Sequence, residues 1–259
     1  MMFIFKLLAS IYLVIIFTVV SLMTLILFRD KKARLERISR NTALFSPLLL
    51  KIMGVKFKTV DHSHGKALDG QCLVVANHIS YVDVFILAAI RPMLFISSVE
   101  LSQKFFVGHI SKLGGTLFVE RRKNRSLREE IASIASVLDY GFAVALFPES
   151  TTSNGLEMLP FRPSLFESAI KSRADITPVC IRYLKVDGED LNMRNKDYVV
   201  FHGGVNFAIH IMRLFRHQNI EAEICIFNRI DTAGKTRKEL VRMTYNTIES
   251  CYKNRRIAS

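Results

Sequence analysis

His78 stands at the point where an apolar run gives way to polar residues, in the segment VVANHISYVDVF, with Asp83 five residues later. A histidine can act as a general base near neutral pH, and a carboxylate that accepts its Nδ1 proton leaves Nε2 free to act. In a continuous helix, positions five residues apart lie about 140° apart around the axis, so the two side chains would not meet. We therefore expect His78 to precede the helix.

The segment SYVD, from Ser80 to Asp83, has the spacing of a helix capping box, which predicts a helix start near Ser80. His78 then lies in a loop at the carboxyl end of a strand, and Asp83, in the first helical turn, can reach back to its ring. Helix capping alone accounts for Asp83. The complete pattern NHxxxxD, which begins at Asn77, favours a catalytic pair.

Strand-like apolar runs alternate with segments of helical spacing along most of the chain. The predicted strands are Val55–Val60, Cys72–Ala76, Met93–Ser97, Thr116–Glu120, Phe142–Phe147, Thr177–Tyr183, Tyr198–Phe201 and Glu221–Phe227. The longer predicted helices are Ser126–Tyr140 and Lys235–Asn254. This alternation predicts an α/β fold, a mixed β-sheet flanked by helices, as one domain over residues 43–259.

Residues 1–42 are predicted to form an N-terminal membrane helix and a basic juxtamembrane segment. Leu7–Phe28 contains no charged residue and, as a helix, extends roughly 33 Å, enough to cross a bilayer core. A cleaved signal peptide is the alternative, but the apolar run is longer than a usual signal core and no A-x-A-like site follows. We expect an uncleaved anchor, single-pass or monotopic.

The formal net charge of +13 on 259 residues indicates an anionic partner. Six cations directly follow the apolar run: Arg29, Lys31, Lys32, Arg34, Arg37 and Arg40. By the positive-inside rule they place the domain in the cytoplasm, and they favour an anionic membrane surface. No stacking-aromatic motif accompanies the charge, so nucleic acid is not expected. The four cysteines lack zinc-ligand spacing, so no metal is expected either.

Four segments together resemble the glycerolipid acyltransferase family of the 1-acylglycerol-3-phosphate, PlsC-like type. NHxxxxD is the first motif of that family, and three further blocks follow in the family's order: GTLFVER (Gly115–Arg121), FPESTTS (Phe147–Ser153) and ITPVCI (Ile176–Ile181). The resemblance implies transfer of a fatty acyl group from acyl-CoA or acyl carrier protein to a lysolipid hydroxyl. The first-choice acceptor is 1-acylglycerol-3-phosphate, which gives phosphatidic acid. The thioester is a co-substrate, and no other cofactor is implied.

By this resemblance His78 is the general base and Asp83 its orienting partner. An alcohol is a poor nucleophile at neutral pH, and a base that removes its proton during attack contributes about 10²–10⁴ in rate. The family's attack is direct, without an acyl-enzyme. A covalent serine route is also disfavoured by the sequence, because there is no GxSxG elbow and Ser150 has no evident base beside it.

The resemblance assigns acceptor binding to Arg121, whose guanidinium suits a phosphate, and to Glu149, Ser150, Thr151 and Thr152. For Glu149, a carboxylate at a helix start is an equally good interpretation. Ser150 stands where the family has Gly, a residue that tolerates close approach and unusual φ. Thr152 stands where the family often has Arg, so one candidate phosphate cation is missing.

Two alternatives follow from this altered block. Arg162, in LPFRPSLFESA, can replace the missing cation, although an ordinary surface arginine is the simpler interpretation. Another lysolipid, such as lyso-ornithine lipid, is the alternative acceptor. A non-catalytic membrane lipid-binding protein would keep the fold and the anchor without needing His78. Phe207–Arg216, apolar with basic interruptions, is interpreted as a core helix rather than a membrane contact.

Overall fold

The structure is a computed structural model that describes residues 2–120 and 124–253, the side chains of residues 124–126 excepted. Its helices are α1 (Met2–Leu27), α2 (Lys31–Met53), α3 (Val82–Ile90), α4 (Val99–Ser102), α5 (Phe105–Leu113), α6 (Asn124–Asp139), α7 (Glu167–Ser172), α8 (Phe207–Leu214) and α9 (Arg237–Lys253). Short 3₁₀ helices cover Ser164–Phe166 and Lys196–Tyr198. Arg121, predicted to bind phosphate, lies outside the described residues.

The strands are β1 (Val55–Asp61), β2 (Cys72–Ala76), β3 (Leu94–Ser98), β4 (Leu117–Val119), β5 (Ala143–Leu146), β6 (Asp175–Val186), β7 (Glu189–Asp190) and β8 (Ile220–Ile226). They form one sheet in the order β1-β8-β6-β2-β5-β3-β4, with β7 paired to β6. β8 and β7 run antiparallel to β6, and the other neighbours are parallel. The prediction of a mixed α/β sheet is confirmed.

The middle of the sheet forms the core. Every residue of β2 and β5 is buried, which explains why both sequences are continuous apolar runs rather than alternating ones. Two groups of helices cover the sheet, α2 with α3 and α6 with α7 and α9. The carboxyl ends of β2 and β5, which are parallel neighbours, therefore open into adjacent loops at one edge of a rigid core.

Seven of the eight predicted strands are present, with ends shifted by at most three residues. The eighth prediction, Tyr198–Phe201, is wrong, because a 3₁₀ turn ends at Tyr198 and irregular backbone follows. Val199 and Val200 are buried, and Phe201 N donates to Ile79 O (3.0 Å). This apolar run covers the loop after β2 instead of joining the sheet, and periodicity alone does not separate these two uses of a short apolar run.

α1 and α2 form an antiparallel hairpin along the domain. Asp30 caps α2 by accepting from Ala33 N (2.8 Å), and α2 ends at Gly54, whose φ of 83° is left-handed. A Cβ at Gly54 would stand 2.5 Å from Gln218 O, so only glycine permits this approach of the hairpin to the loop before β8. Among the described residues, α1 is the one helix long and apolar enough to cross a membrane, judged by length and composition.

Candidate active site

Asn77 ends β2 by replacing backbone hydrogen bonds with side-chain ones. Its Nδ2 donates to Ile181 O (2.9 Å) and its Oδ1 accepts from Ile181 N (2.8 Å), so the amide extends the pairing between β2 and β6 by one position. The main chain is thereby free to leave the sheet at this residue. His78 is the first residue after this exit, as the sequence predicts.

His78 and Asp83 form the predicted pair. His78 Nδ1 lies 2.9 Å from Asp83 Oδ2, and because a carboxylate only accepts, Nδ1 carries the proton and Nε2 is the basic nitrogen. The same Oδ2 accepts from Ile79 N (2.7 Å) and Ser80 N (2.9 Å). α3 begins at Val82, two residues after the predicted start, and the Ser80–Asp83 bond is the carboxylate half of a capping box.

The second oxygen of Asp83 accepts from Tyr183 Oη at 2.7 Å. Asp83 is fully buried, and its two oxygens receive four donors in total. A buried carboxylate needs such compensation for lost hydration. These bonds also leave the carboxylate little rotational freedom, so they fix the orientation of the His78 ring.

The His78 ring is packed on one face and accessible at its edge. It stacks on Phe147, with centroids 4.1 Å apart and planes 20° apart. Its side chain remains 19% exposed. Within residues 2–120 and 124–253, Nε2 makes no hydrogen bond, so the basic nitrogen is available to a substrate hydroxyl.

The third block, Phe147–Ser153, clamps the main chain of His78. Glu149 Oε1 accepts from His78 N (2.7 Å), and Ser153 N donates to His78 O (2.8 Å). Glu149 Oε2 accepts from Leu159 N (2.8 Å), so both of its oxygens bond to backbone inside the protein. Burial raises the pKa of Glu149 to about 7, against its ordinary 4.5. The predicted contact of Glu149 with the acceptor stays a prediction.

Ser150 adopts a left-handed φ of 66°, the conformation that the family's glycine tolerates without strain. Thr151 is exposed, and Thr152 and Ser150 are partly buried. A small cavity of about 60 Å³ opens beside Ser150 and is lined by Leu127, Leu146, Pro148, Ser150, Arg162, Ser164 and Leu165. Arg162 N donates to Pro148 O (3.0 Å), which fixes Arg162 beside the third block.

Two contacts at the site were not predicted from the sequence. Tyr183 lies just beyond the fourth block and reaches Asp83 only because β6 is the sheet neighbour of β2. Tyr81 Oη lies 3.1 Å from Nδ1 of the buried His210, whose Nε2 lies 3.0 Å from Val200 O. Burial lowers the pKa of His210, so its ring is neutral and donates through Nε2. The partners in these two contacts are 100 and 129 residues apart in the sequence, so no local pattern predicts that they meet.

Comparison with known proteins agrees with this geometry. A family model described as Acyltransferase matches residues 55–182. The lyso-ornithine lipid O-acyltransferase of Pseudomonas aeruginosa is 30% identical over 184 residues, which are 71% of this chain and 69% of that protein. The chain belongs to the PlsC-like acyltransferase family. The resemblance carried by NHxxxxD and the three later blocks is thus confirmed.

Other members of the PlsC-like family are similar over different lengths. The 1-acyl-sn-glycerol-3-phosphate acyltransferase of Neisseria gonorrhoeae is 36% identical over 117 residues, 45% of this chain and 46% of that protein. The matched segment therefore spans about half the length of this relative. The crystal structure of the 1-acyl-sn-glycerophosphate (LPA) acyltransferase, PlsC, from Thermotoga maritima has a TM-score of 0.67 at 20% identity and covers 98% of this chain. The fold is shared over almost the whole length.

Proposed function

We propose that this chain is a membrane-bound lysolipid O-acyltransferase, and the His78–Asp83 pair is the observation that carries the proposal. Nε2 of His78 takes the proton of the acceptor hydroxyl as its oxygen attacks the thioester carbonyl. The new C–O bond forms, the C–S bond breaks, and the proton passes to the leaving thiolate. Asp83 stabilises the imidazolium that exists between these two proton transfers.

Direct transfer is favoured over an acyl-serine route. Ser150 Oγ lies 3.4 Å from Pro148 O, a weak bond that does not activate it as a nucleophile. In the described part of the chain no serine hydroxyl bonds to His78. The acyl group therefore passes from the donor thioester, acyl-CoA or acyl carrier protein, to the lysolipid in one displacement.

Lysophosphatidic acid (1-acylglycerol-3-phosphate) is the first candidate acceptor. The net charge of +13 favours an anionic lipid, and Arg162 lines the cavity beside Ser150 where a phosphate would meet the third block. The Neisseria relative named for this acceptor is 36% identical over the segment it matches. Arg162 then supplies the cation that Thr152 does not.

Lyso-ornithine lipid is the second candidate, favoured by a separate observation. The Pseudomonas relative named for this acceptor matches 69% of its own length, against 46% for the Neisseria relative. A zwitterionic acceptor requires fewer protein cations than a phosphomonoester, so Thr152 would be adapted to it rather than compensated by Arg162.

Both ends of α1 lie against the domain, which favours monotopic over single-pass attachment. Near the start of α1, Lys6 Nζ donates to Met53 O (3.1 Å) and His217 O (2.5 Å). Just after α1, Lys31 Nζ lies 6.0 Å from the Tyr140 ring, which follows α6. A helix that crossed the bilayer would have to break one of these contacts. The basic residues at the hairpin turn support the cytoplasmic leaflet.

The exposed apolar surface fits this attachment. α1 exposes Ile4, Phe5, Leu8, Ile11, Tyr12, Ile15, Val19, Leu22, Met23, Leu25, Ile26 and Leu27. α5 contacts α1 and adds Phe105, which is 87% exposed, and Phe106. A patch of this extent is explained by burial in lipid.

The decisive test is acyl transfer by purified full-length His78→Ala in detergent, measured with radiolabelled acyl-CoA and acyl carrier protein thioesters. We expect loss of transfer by about 10²–10⁴, because the variant removes the base. It also loses the stack on Phe147 and one donor to Asp83, so circular dichroism and melting temperature establish that the variant is folded before its activity is compared. His62→Ala, which changes an exposed histidine, is the matched control and keeps full activity. Wild-type turnover in His78→Ala would support the lipid-binding alternative.

The acceptor is decided by comparing wild type, Arg162→Ala and Thr152→Arg on both lysolipids. For a phosphate acceptor, Arg162→Ala lowers kcat/KM by a factor that corresponds to about 1.5–3 kcal/mol of lost transition-state stabilisation, the value of a charge-assisted bond. Lys171→Ala on α7 is the control and has no such effect. For lyso-ornithine lipid, Arg162→Ala is neutral and Thr152→Arg shifts preference towards lysophosphatidic acid. Transfer by wild type to lyso-ornithine lipid alone would reverse our choice of acceptor.

A further inference from the structure

α8 has one buried face and one exposed face. His210 and Leu214 are buried, whereas Ile209 is 45% and Met212 41% exposed. Arg213 is exposed too, and positions 209, 212 and 213 follow the i, i+3, i+4 spacing of one helix face. Arg216, in the turn directly after α8, is also exposed and continues this face by one turn. The interpretation of Phe207–Arg216 as a core helix therefore holds for one face only.

The buried face of α8 packs on the catalytic loop. The Tyr81 ring, three residues after His78, lies 4.9 Å from the Phe207 ring, and Tyr81 Oη bonds to His210. Phe201, also in contact with Tyr81, donates through its backbone N to Ile79 O. α8 is thus the outer cover of the loop that carries the proposed base.

The end of α8 meets the base of the α1–α2 hairpin. His217, three residues after α8, accepts from Lys6 Nζ through its carbonyl, and its ring nitrogen Nδ1 lies 2.9 Å from Asp187 Oδ2. The exposed face of α8 is therefore continuous with the end of the helix that we place in the membrane. Both lie at the edge of the sheet where β2 and β6 end.

We propose that α8 is an interfacial helix whose exposed face docks on an anionic phospholipid bilayer. Ile209 and Met212 enter the acyl region, and Arg213 and Arg216 bind lipid phosphates at the level of the headgroups. Apolar and basic side chains on one helix face are the composition that a charged bilayer surface selects. This inference rests on the membrane attachment proposed above and adds a second contact beside the active site.

The consequence for catalysis is geometric. The bilayer surface comes within one helix thickness of Tyr81, and therefore of the loop that carries His78. A lysolipid hydroxyl reaches Nε2 without the lipid leaving the membrane. A second copy of this chain is a weaker occupant for this face, because an isologous contact would bring Arg213 and Arg216 of both copies, four like charges, into one interface.

The chain contains no tryptophan, so a single introduced tryptophan reports on one position. Full-length Met212→Trp is reconstituted into phosphatidylethanolamine–phosphatidylglycerol vesicles, with and without brominated acyl chains. We expect about a twofold loss of emission in the brominated lipid, since an interfacial side chain reaches the acyl boundary. Met243→Trp is the matched control on α9, at a methionine that is 39% exposed among the other group of helices, and keeps its emission.

A second experiment tests whether the basic side chains of this face bind anionic lipid. In the Met212→Trp background, Arg213→Gln with Arg216→Gln reduces the quenching, whereas Arg237→Gln with Lys238→Gln on α9 does not. The difference disappears at high salt, because exposed charge contacts are screened. Circular dichroism and melting temperature establish that each variant is folded.

Equal emission of Met212→Trp in brominated and unbrominated lipid would overturn the proposal. So would protection of this tryptophan from iodide in detergent that increases with protein concentration, which would identify a second copy as the occupant. Quenching is measured without an acyl donor, so its outcome is independent of the His78→Ala assay. Failure of this inference and failure of the proposed function are thereby distinguished.

Discussion

The loops after β2 and β5 leave neighbouring parallel strands at the same edge of the sheet, but their polar side chains are held differently. In the first of these segments, which runs from Asn77 into the first turn of α3, Asn77 and Asp83 are buried, and every side-chain oxygen of both accepts a hydrogen bond. In the loop after β5, Glu149 and Ser153 are buried and accept backbone hydrogen bonds, whereas Ser150 has a left-handed φ and Thr151 is exposed.

Under the proposed function, the first of these segments carries the chemistry and the second meets the acceptor. A general base must hold one geometry to within a fraction of an ångström, so its loop is fixed by buried bonds. Residues that meet a lipid headgroup tolerate substitution, because exposed side chains can rearrange around a different acceptor. Ser150 and Thr152, the two departures from the family pattern, lie in the second loop.

The largest effect is expected when the first loop loses its carboxylate. Asp83→Asn places an NH₂ group among four donors and favours the wrong His78 tautomer, so kcat should fall by about 10²–10⁴ with little change in KM. Steady-state kinetics on lysophosphatidic acid measures this. Asp61→Asn, which removes another turn-capping carboxylate that accepts from Ser63 and Gly65, should leave kcat unchanged. A similar loss in both variants would contradict an orienting role.

Glu149, which accepts a hydrogen bond from His78 N, should make the free energy of unfolding depend on pH. The pKa of Glu149 is raised from 4.5 to about 7, so the folded state holds its proton more tightly than the unfolded state. Its contribution to stability is therefore present below pH 4.5 and is lost as pH rises through 7. Melting temperatures should fall less over this range in Glu149→Gln than in wild type or in Glu157→Gln, an exposed control. If melting temperature depends on pH in the same way in Glu149→Gln and in wild type, the raised pKa of Glu149 is refuted.

Tyr183→Phe tests the bond that reaches the first loop from β6. Asp83 Oδ1 loses its donor in a buried setting, a cost of about 1–1.5 kcal/mol, so kcat should fall roughly tenfold while KM is retained. Tyr252→Phe removes the bond from another buried tyrosine to Gly155 O and serves as the control for lost stability. If both variants lose kcat equally, Tyr183 has only a structural role.

The smallest effect is expected at Ser150. Ser150→Gly relieves a left-handed φ but adds unfolded-state entropy, and the net gain should be about 0.5–1 kcal/mol in unfolding free energy. Arg173→Gly, at φ 51° after α7, calibrates this backbone term far from the substrate. Thermal melting measures both. A destabilised Ser150→Gly would show that the strain is offset by contacts of the serine side chain.

Local patterns predicted the elements that lie within single segments. β2 matches its prediction at both ends because five consecutive apolar residues between polar ones have one simple explanation. The His78–Asp83 pair was predictable for a similar reason, since five residues that cross a helix start constrain where the two side chains can meet. Tyr198–Phe201 failed because four apolar residues pack equally well in a sheet or over a loop.

The α/β class, the family motifs and the residues of the proposed base and its partner could all be predicted from the sequence, because these depend on spacing within a few residues. Only the folded chain shows that Tyr183 bonds to Asp83, that Glu149 accepts from the main chain of His78, and that Lys6, near the start of α1, bonds to the loop after α8. Those contacts join residues 71 to 211 positions apart. They depend on strand order and helix packing, which arise from burial across the whole chain and leave no periodic signal in any one segment.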